Sequence, residues 1–269
     1  MSLDPYSLPD RKPRARWFGF WDNLVNRFLE HYAPARLDTA PGHIAVDPHI
    51  HSLFSVCSIS SPERIILRAV KMGLSAIAIL DHNDPQGRKH AEMCAQQLKQ
   101  QKAIPEDFLV IPGVEISTAD GHIGALFIDE PVETGLSPSE AVQRIHEAGG
   151  LAVAVHPYTR SGIGDALFDA PFDAVEIESG SAFGRFSVER AHDLLADPRL
   201  KNVAKLGSSD AHYVGAVGSC YTVVDTDRVT LESVRSAIED GRCSARSSDM
   251  CLRLRRLLGG IAAREPQQR

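Results

Sequence analysis

Cysteine is scarce and poorly placed for bridging. Cys57, Cys94, Cys220, Cys243 and Cys251 form an odd, scattered set with no Cys-x-x-Cys pair. That argues against a disulfide framework and a thiolate-built structural zinc site, and it points to a reducing compartment. Long apolar runs are missing too: none approaches the roughly 18 to 20 residues of a membrane span. The opening stretch MSLDPYSLPDRKPR holds no apolar signal core, so the expected localisation is cytoplasmic. Nor is there an excess of positive charge. Lys and Arg number 29 against 35 Asp and Glu, a net charge of -6, so the chain carries no global basic field for long nucleic acid, although a local patch stays open. What is present is ordinary globular usage, 43% apolar and 24% charged, over a length that buries a core without staples.

Three segments follow from the patterning. Residues 1–42 are punctuated by Pro5, Pro9, Pro13, Pro34 and Pro41 and read as an N-terminal extension. Within it Trp17, Trp21, Leu24, Val25, Phe28 and Leu29 fall at helical spacing, predicting a helix over 17–32 that packs on the main domain. A partner or membrane-surface helix is the alternative. Residues 43–245 alternate apolar strand runs with helical segments, at 43–46, 74–80, 108–111, 122–128, 151–155, 173–177, 203–206 and 221–224. Near-continuous apolar runs suit parallel strands covered on both faces, so the expected class is α/β with a parallel sheet, open or closed. Ser61-Pro62 and Ser137-Pro138 with Glu140 mark helix starts, and Gly73 and Gly149 mark ends. Residues 246–269 form a basic tail containing Arg253, Arg255, Arg256, Arg264 and Arg269 against Glu265. It reads as a solvated terminal helix that frays, with anionic lipid or nucleic acid as the alternative partner.

The chemistry lies in the placement of histidines and carboxylates. His49 and His51 sit two apart at the end of the first strand, and residues i and i+2 of a strand share a face. Asp81-His82 ends the second strand run, Glu115 follows the third, and His122 begins the next. His156 follows Leu-Ala-Val-Ala-Val, and Asp210 and His212 again sit two apart after Val-Ala-Lys-Leu. In a parallel α/β domain, strand C-terminal ends share one face, and that face carries the site. Imidazole with carboxylate suits zinc, manganese or iron. The set exceeds one four-coordinate ion, which points to two or three metals with a bridging carboxylate, and phosphoester hydrolysis is the chemistry such a cluster serves best. His31, His43, His90, His146 and His192 lie in predicted helices or near turns and are read as structural.

Six motifs stand in order: Asp47-Pro-His49-Ile-His51-Ser, Leu80-Asp81-His82-Asn83, Pro112-Gly-Val-Glu115-Ile-Ser, Gly121-His122, Val155-His156-Pro157 and Ser209-Asp210-Ala-His212. Together they resemble the polymerase and histidinol phosphatase (PHP) superfamily of metal-dependent phosphoesterases, over about residues 43 to 245. The resemblance implies a distorted (β/α)7, TIM-like barrel with a trinuclear site at the strand C-terminal ends. It assigns one metal to His49, His51, Glu115 and Asp210. A second shares Glu115 and adds His122 and His156, and a third uses His82 and His212. A hydroxide bridging the first two would attack phosphorus in line, with Asp81 at the third site or behind its neighbours. Asp81, Asp210 and His212 are thus the expected catalytic residues. One departure stands out. Many relatives carry Asp or His shortly after the second histidine, where this chain has Ser52-Leu-Phe-Ser-Val-Cys57-Ser58. Cys57 is read there either as a thiolate donor or as a small buried residue.

Arg160 and Arg185 are the candidate phosphate-gripping residues, each with a surface reading beside it, and Glu178 ends its strand at the expected rim. The expected partner is a small phosphorylated substrate such as a nucleotide, and the expected activity is hydrolysis of phosphomonoesters or small phosphodiesters. A nuclease trimming short RNA or DNA ends and a non-catalytic metal-binding module are the alternatives.

Overall fold

The computed structural model describes residues 16–32, 36–37, 39–130 and 132–259. Pro5, Pro9, Pro13, Pro34, Arg264, Glu265 and Arg269 lie outside the described residues, as do the side chains of Trp17 and Trp21. In chain order the elements are α1 (Arg16–Tyr32), β1 (His43–Ile50), α2 (Pro62–Met72), β2 (Ala76–Ile79), α3 (Gln86–Gln100), β3 (Leu109–Ile111), β4 (Gly113–Ser117) and β5 (His122–Leu126). They continue with α4 (Pro138–Glu147), β6 (Leu151–Ala154), β7 (Ala174–Ser179), α5 (Arg185–Asp193), β8 (Ala204–Ser208), β9 (Cys220–Asp225), α6 (Leu231–Glu239), β10 (Cys243–Ser247) and α7 (Asp249–Gly259).

Local chemistry sets several boundaries. Ser61 Oγ accepts from Arg64 N ahead of Pro62, and Gly73 closes α2 in the left-handed region at φ 87°. Ser137 and Glu140 complete a reciprocal capping box at α4. Helix α3 goes unpredicted because its Gln- and Lys-rich sequence buries few apolar side chains, Ala91, Ala95 and Leu98 among them.

The strands form two mixed five-stranded sheets, ordered β10-β9-β1-β2-β3 and β4-β5-β6-β7-β8. β1-β2-β3 and β6-β7-β8 run parallel, whereas β9 is antiparallel to β1 and β10, and β5 to β4 and β6. The expectation of a parallel sheet therefore holds for half the pairings. For β4 and β5 the reason is local: a short turn reverses the chain without the crossover helix that parallel pairing needs. No closed sheet is found among the described residues, so the seven-stranded barrel is not reproduced as a closed ladder. The two sheets meet instead through single bridges, Ile50 with Ala211 and His82 with Glu115. Both bridges involve or adjoin candidate site residues.

Three apolar layers result. Val46, Ala78, Leu80, Leu126, Val153 and Leu206 fill the space between the sheets. Ile65, Ile66, Met72, Ala91 and Leu98 cover the outer face of the first sheet, and Ala141, Ile145, Leu167 and Leu194 that of the second. Burial on both faces explains why the strands read as apolar runs.

Both ends of the described chain join this body. Asn26 of α1 is 4% exposed, and its Oδ1 accepts from Gly215 N at 3.0 Å. α7 departs from the expectation of a solvated, fraying helix: Met250, Cys251 and Arg255 are buried. Arg255 donates to Glu178 Oε2 at 2.6 Å and to the carbonyls of Ser179 and Ala182. All five cysteines are free thiols.

Candidate metal centre

β1 is wholly buried beyond His43 and carries Pro48, which has no N–H for the ladder. Its register with β2 shifts between Asp47 and Ile50, a local irregularity that re-aims side chains. His49 and His51 leave this end with their Nε2 atoms 3.1 Å apart. Glu115 comes from the middle of β4, a strand not foreseen in the sequence, where Ser117 pairs with His122 of β5. His122 is therefore the diagonal neighbour of Glu115 on one face, and the two lie 3.1 Å apart, Nδ1 to Oε1. His82 follows β2, His156 follows β6, and Asp210 and His212 follow β8.

These eight residues converge. Glu115 Oε1 lies 3.1 Å from His156 Nε2 and 3.7 Å from His49 Nε2, and Oε2 lies 2.7 Å from His82 Nδ1 and 3.4 Å from His51 Nε2. Asp210 Oδ1 lies 3.0 Å from His51 Nε2, 3.6 Å from His49 Nε2 and 3.8 Å from His212 Nδ1. Thus one buried carboxylate meets five imidazoles and a second meets four, counting His156 at 3.9 Å. The side chains of His49, His51 and His156 are at most 3% exposed, whereas those of His82, His122 and His212 are 23–28% exposed. The cluster therefore has a closed floor and an open side.

Its electrostatics favour cations. Burial alone would strip the proton from His49, but the Asp210, Glu176 and Glu115 charges prevail and raise its pKa to about 10. Burial alone would likewise protonate Glu115, yet the charge of His49 and the close approach of the His122, His156 and His82 rings hold it well below the usual carboxylate range. Asp210 is held low in the same manner, chiefly by the charge of His49 and its contact with His51.

The donor set fits metal ions by a separate test. Buried polar atoms are almost always hydrogen-bonded, yet Glu115 Oε2, Asp210 Oδ1 and His82 Nδ1 are buried without a hydrogen-bond partner. Groups of three donors with ligand atoms within 4.8 Å of one another include His49-His51-Glu115, His49-His156-Asp210, His82-Glu115-His122, His51-Asp210-His212 and His51-Cys57-His82. Two donors at 2.7 Å that form no aligned hydrogen bond suit a shared third atom better than each other. His156 and Asp210 also take positive φ, 29° and 45°, a strained backbone held by its surroundings at a convergent site.

Other expected site residues stand apart from this convergence. Asp81 does not face the imidazoles. Its carboxylate accepts from Ser52 N and from the hydroxyls of Ser52 and Ser55, and Ser55 Oγ lies 3.3 Å from His51 Nδ1. Gly87 allows this packing, because a Cβ there would collide with Asp81 Oδ2 and Ser52 Oγ. Glu178 is no rim residue: Arg255, His192 and Ser247 enclose it. Arg185 pairs with Glu189 along α5 on an exposed face. Arg160 is exposed on the turn after His156, beside Ser161, whose carbonyl accepts from His122 N.

Two carboxylates to which the sequence reading gave no role complete the frame. Glu176 Oε1 accepts from His49 Nδ1 at 3.0 Å, and its Oε2 accepts from His156 N at 2.8 Å. A glutamate inside the buried run Ala174–Ile177 was the available signal, since such a group needs a partner. Asp47 accepts from Ser209 N and Gly218 N and so ties β1 to the loop bearing Asp210.

Comparisons with known proteins agree with this arrangement. The PHP-associated family model matches residues 199–243. An uncharacterized protein of Methanocaldococcus jannaschii is 35% identical over 143 residues, covering 49% of this chain and 79% of that protein. Among solved structures, a two-domain protein of Bacteroides vulgatus containing a predicted PHP-like metal-dependent phosphoesterase superposes with TM-score 0.61 at 21% identity, over 83% of this chain and 73% of that one. A lesion-specific endonuclease of Pyrococcus furiosus superposes with TM-score 0.54 at 18% identity, over 76% of this chain and 57% of that one. The motifs stand in order with their side chains gathered at one end of the sheets, and the chain resembles the PHP superfamily in its PHP-associated match and in the fold it shares with a PHP-like protein.

Proposed function

We propose that the chain is a metal-dependent hydrolase of phosphomonoesters or small phosphodiesters, with a nucleotide-like substrate. The observation that carries this reading is the convergence of six imidazoles on Glu115 and Asp210, each of which keeps a buried oxygen without a hydrogen-bond partner. His49, His51, Glu115 and Asp210 would hold one ion, Glu115 with His122 and His156 a second, and His82 with His212 a third. Manganese, zinc and iron all suit these donors. When bound, such ions polarise a phosphoryl oxygen and acidify a water at neutral pH.

The chain's own residues have distinct tasks. Glu176 holds the proton on His49 Nδ1 and leaves Nε2 facing the cluster. Asp81, through Ser55, positions His51 from the other side, which replaces the direct catalytic role expected for it. Substrate enters across His82, His122 and His212, the exposed flank. Arg160 grips phosphate from the turn at that flank, whereas Arg185, already paired with Glu189, contributes less. The net charge of -6 favours a small substrate over a long polyanion.

A nuclease acting on short ends is the second reading, supported by the fold shared with the Pyrococcus furiosus endonuclease. The test is metal content per chain by elemental mass spectrometry for wild type and Asp210→Ala, followed by a panel of phosphomonoesters, small diesters and short single-stranded oligonucleotides. Two or three ions, fewer in the variant, with turnover of monoesters or small diesters, is the expected result. Turnover of oligonucleotides alone selects the nuclease. Near-zero metal in both proteins after manganese and zinc are offered overturns the hydrolase and leaves a binding module.

A further inference from the structure

Two of the five free thiols lie in contact. Cys220 opens β9 and Cys251 sits in the first turn of α7, with their sulfurs 3.2 Å apart. Neither residue is more than 1% exposed. They stand 31 residues apart in the chain, so it is the packing of α7 on the sheet that brings them together. That packing is fixed on several sides. Ser247 pairs with Cys220 at the end of the β9–β10 ladder, and Ser247 Oγ lies 3.3 Å from the Cys220 sulfur. Ser248 N donates to Ser219 O at 2.8 Å. Arg255, one turn beyond Cys251, holds the carbonyls of Ser179 and Ala182 and stands 4.0 Å from the Cys220 sulfur.

A metal ion is the first rival for two buried thiols, and the surroundings disfavour it. Among the described residues no group of three converging donors includes either sulfur. The charge beside them is the Arg255 guanidinium, which repels a cation. A covalent bond between the sulfurs is the better fit. A disulfide has its sulfurs about 2.0 Å apart, an approach of about 1.2 Å from their separation here. The other three cysteines are scattered. One contacting pair that stands reduced in such a chain is the pattern of a redox-responsive dithiol, not of a structural bridge.

We propose that Cys220 and Cys251 are a modification site, a dithiol that hydrogen peroxide converts to a disulfide locking α7 to β9. First the Cys251 sulfur attacks a peroxide oxygen, the O–O bond breaks and one water leaves, so that sulfur becomes a sulfenic acid. Then the Cys220 sulfur attacks the Cys251 sulfur, the S–S bond forms, the S–O bond breaks and a second water leaves. Two thiols and one peroxide give one disulfide and two waters, with two electrons passing from sulfur to oxygen. The roles follow from the contact, in which the Cys220 thiol donates to the Cys251 sulfur. That hydrogen bond and the Arg255 charge outweigh burial and lower the Cys251 thiol, while burial pushes the Cys220 thiol up. The burial of both sulfurs selects a small oxidant. Peroxide enters when α7 opens locally, whereas a glutathione-sized disulfide needs the helix displaced. Once formed, the bond closes the loop 220–251 and restricts the unfolded chain, so oxidation stabilises the fold. The site is independent of the metal centre.

The test uses the full chain, reduced, freed of reductant and treated with hydrogen peroxide while folded, with Cys220→Ala and Cys251→Ala beside wild type. After alkylation of the remaining thiols, trypsin places Cys220 in peptide 206–228, Cys243 in 243–246 and Cys251 in 247–253. Wild type is expected to yield 206–228 joined to 247–253, two hydrogens lighter than the separate pair, and dithiothreitol should part them. Its urea midpoint should rise on oxidation and return on reduction, and neither variant should show this rise. Both wild-type readouts decide the matter even where a variant misfolds. Several results overturn the proposal: both thiols still open to alkylation after treatment, Cys251 ending as a sulfinic acid, either cysteine joined to a different one, or a joined peptide that forms only in urea. A joined peptide with an unchanged urea midpoint overturns the lock.

Discussion

Two charge clusters border β7, one centred on Glu178 and the other reached through Glu176, and they resolve their charge in opposite ways. Around Glu178 every partner is supplied by the protein. One oxygen meets His192 Nε2 at 2.7 Å, and the other meets Arg255 and Ser247 at 2.6 Å. Around Glu115 and Asp210 the imidazoles crowd in, yet an oxygen of each carboxylate keeps no hydrogen-bond partner. Both clusters are buried, histidine-bearing and anionic at the centre, so burial and composition do not distinguish them. The state of the oxygens does. A closed network serves the fold, because an unpaired buried charge is costly. An open network tolerates that cost where something else completes it, and the donors here suit divalent cations.

The sharpest way to break this comparison is to neutralise the centre of each cluster. Glu115→Gln should remove metal from the cluster and lower phosphoester turnover more than about 100-fold, beyond what loss of an outer partner costs, while the chain stays folded by circular dichroism. Arg255→Met should do the reverse. It strands Glu178 in a site 15% exposed, so stability in urea should fall by about 3–5 kcal/mol with metal per chain unchanged. Joining Glu178→Gln to Arg255→Met should recover part of that loss. A single variant that loses both metal and stability to these extents would show that the two clusters are one.

Acid should separate the clusters next. Burial pushes the Glu178 carboxyl up, but His192 and Arg255 outweigh it and hold it at about 2 against an ordinary 4.5. A folded-state pKa below the unfolded value gives stability that is complete above about 4.5 and lost as pH falls through about 2. The gap between wild type and Glu178→Gln in urea should therefore be up to about 3 kcal/mol near neutrality and close across that window. A gap independent of pH would place the stabilisation in packing instead.

What could be read in advance follows the same division. The eight converging residues were legible because each breaks the apolar pattern around it and all but Glu115, central in β4, sit at a strand end or turn. The sheets were half legible: runs such as Leu151–Ala154 announce buried strands, but nothing in Gly113–Ser117 marks a hairpin partner for His122, and closure between sheets rests on two single bridges. Glu178 and Arg255 were misread for a physical reason. A strand-end glutamate and a terminal arginine are usually solvated, and here their pairing over 77 residues draws both largely out of solvent. Helical spacing held a weak hint, since Cys251 and Arg255 are four apart and share the buried face of α7.

Glu176 belongs to both regions and makes the finest test of the boundary between them. It lies two residues before Glu178 on β7, yet it serves the open cluster, accepting from His49 Nδ1 and from the backbone N–H of His156. Glu176→Gln keeps the volume and still offers an oxygen to His49, but it removes the charge that fixes which ring nitrogen carries the proton. Partners of this kind typically contribute 10- to 100-fold in metal affinity, or about 1.4–2.8 kcal/mol. The expected result by competition with a chelator is a loss in that range, smaller than for Glu115→Gln, with little change in the urea midpoint. If instead the variant unfolds early and binds metal as before, Glu176 is part of the closed network, and the line between scaffold and site falls between β7 and His49 rather than along β7.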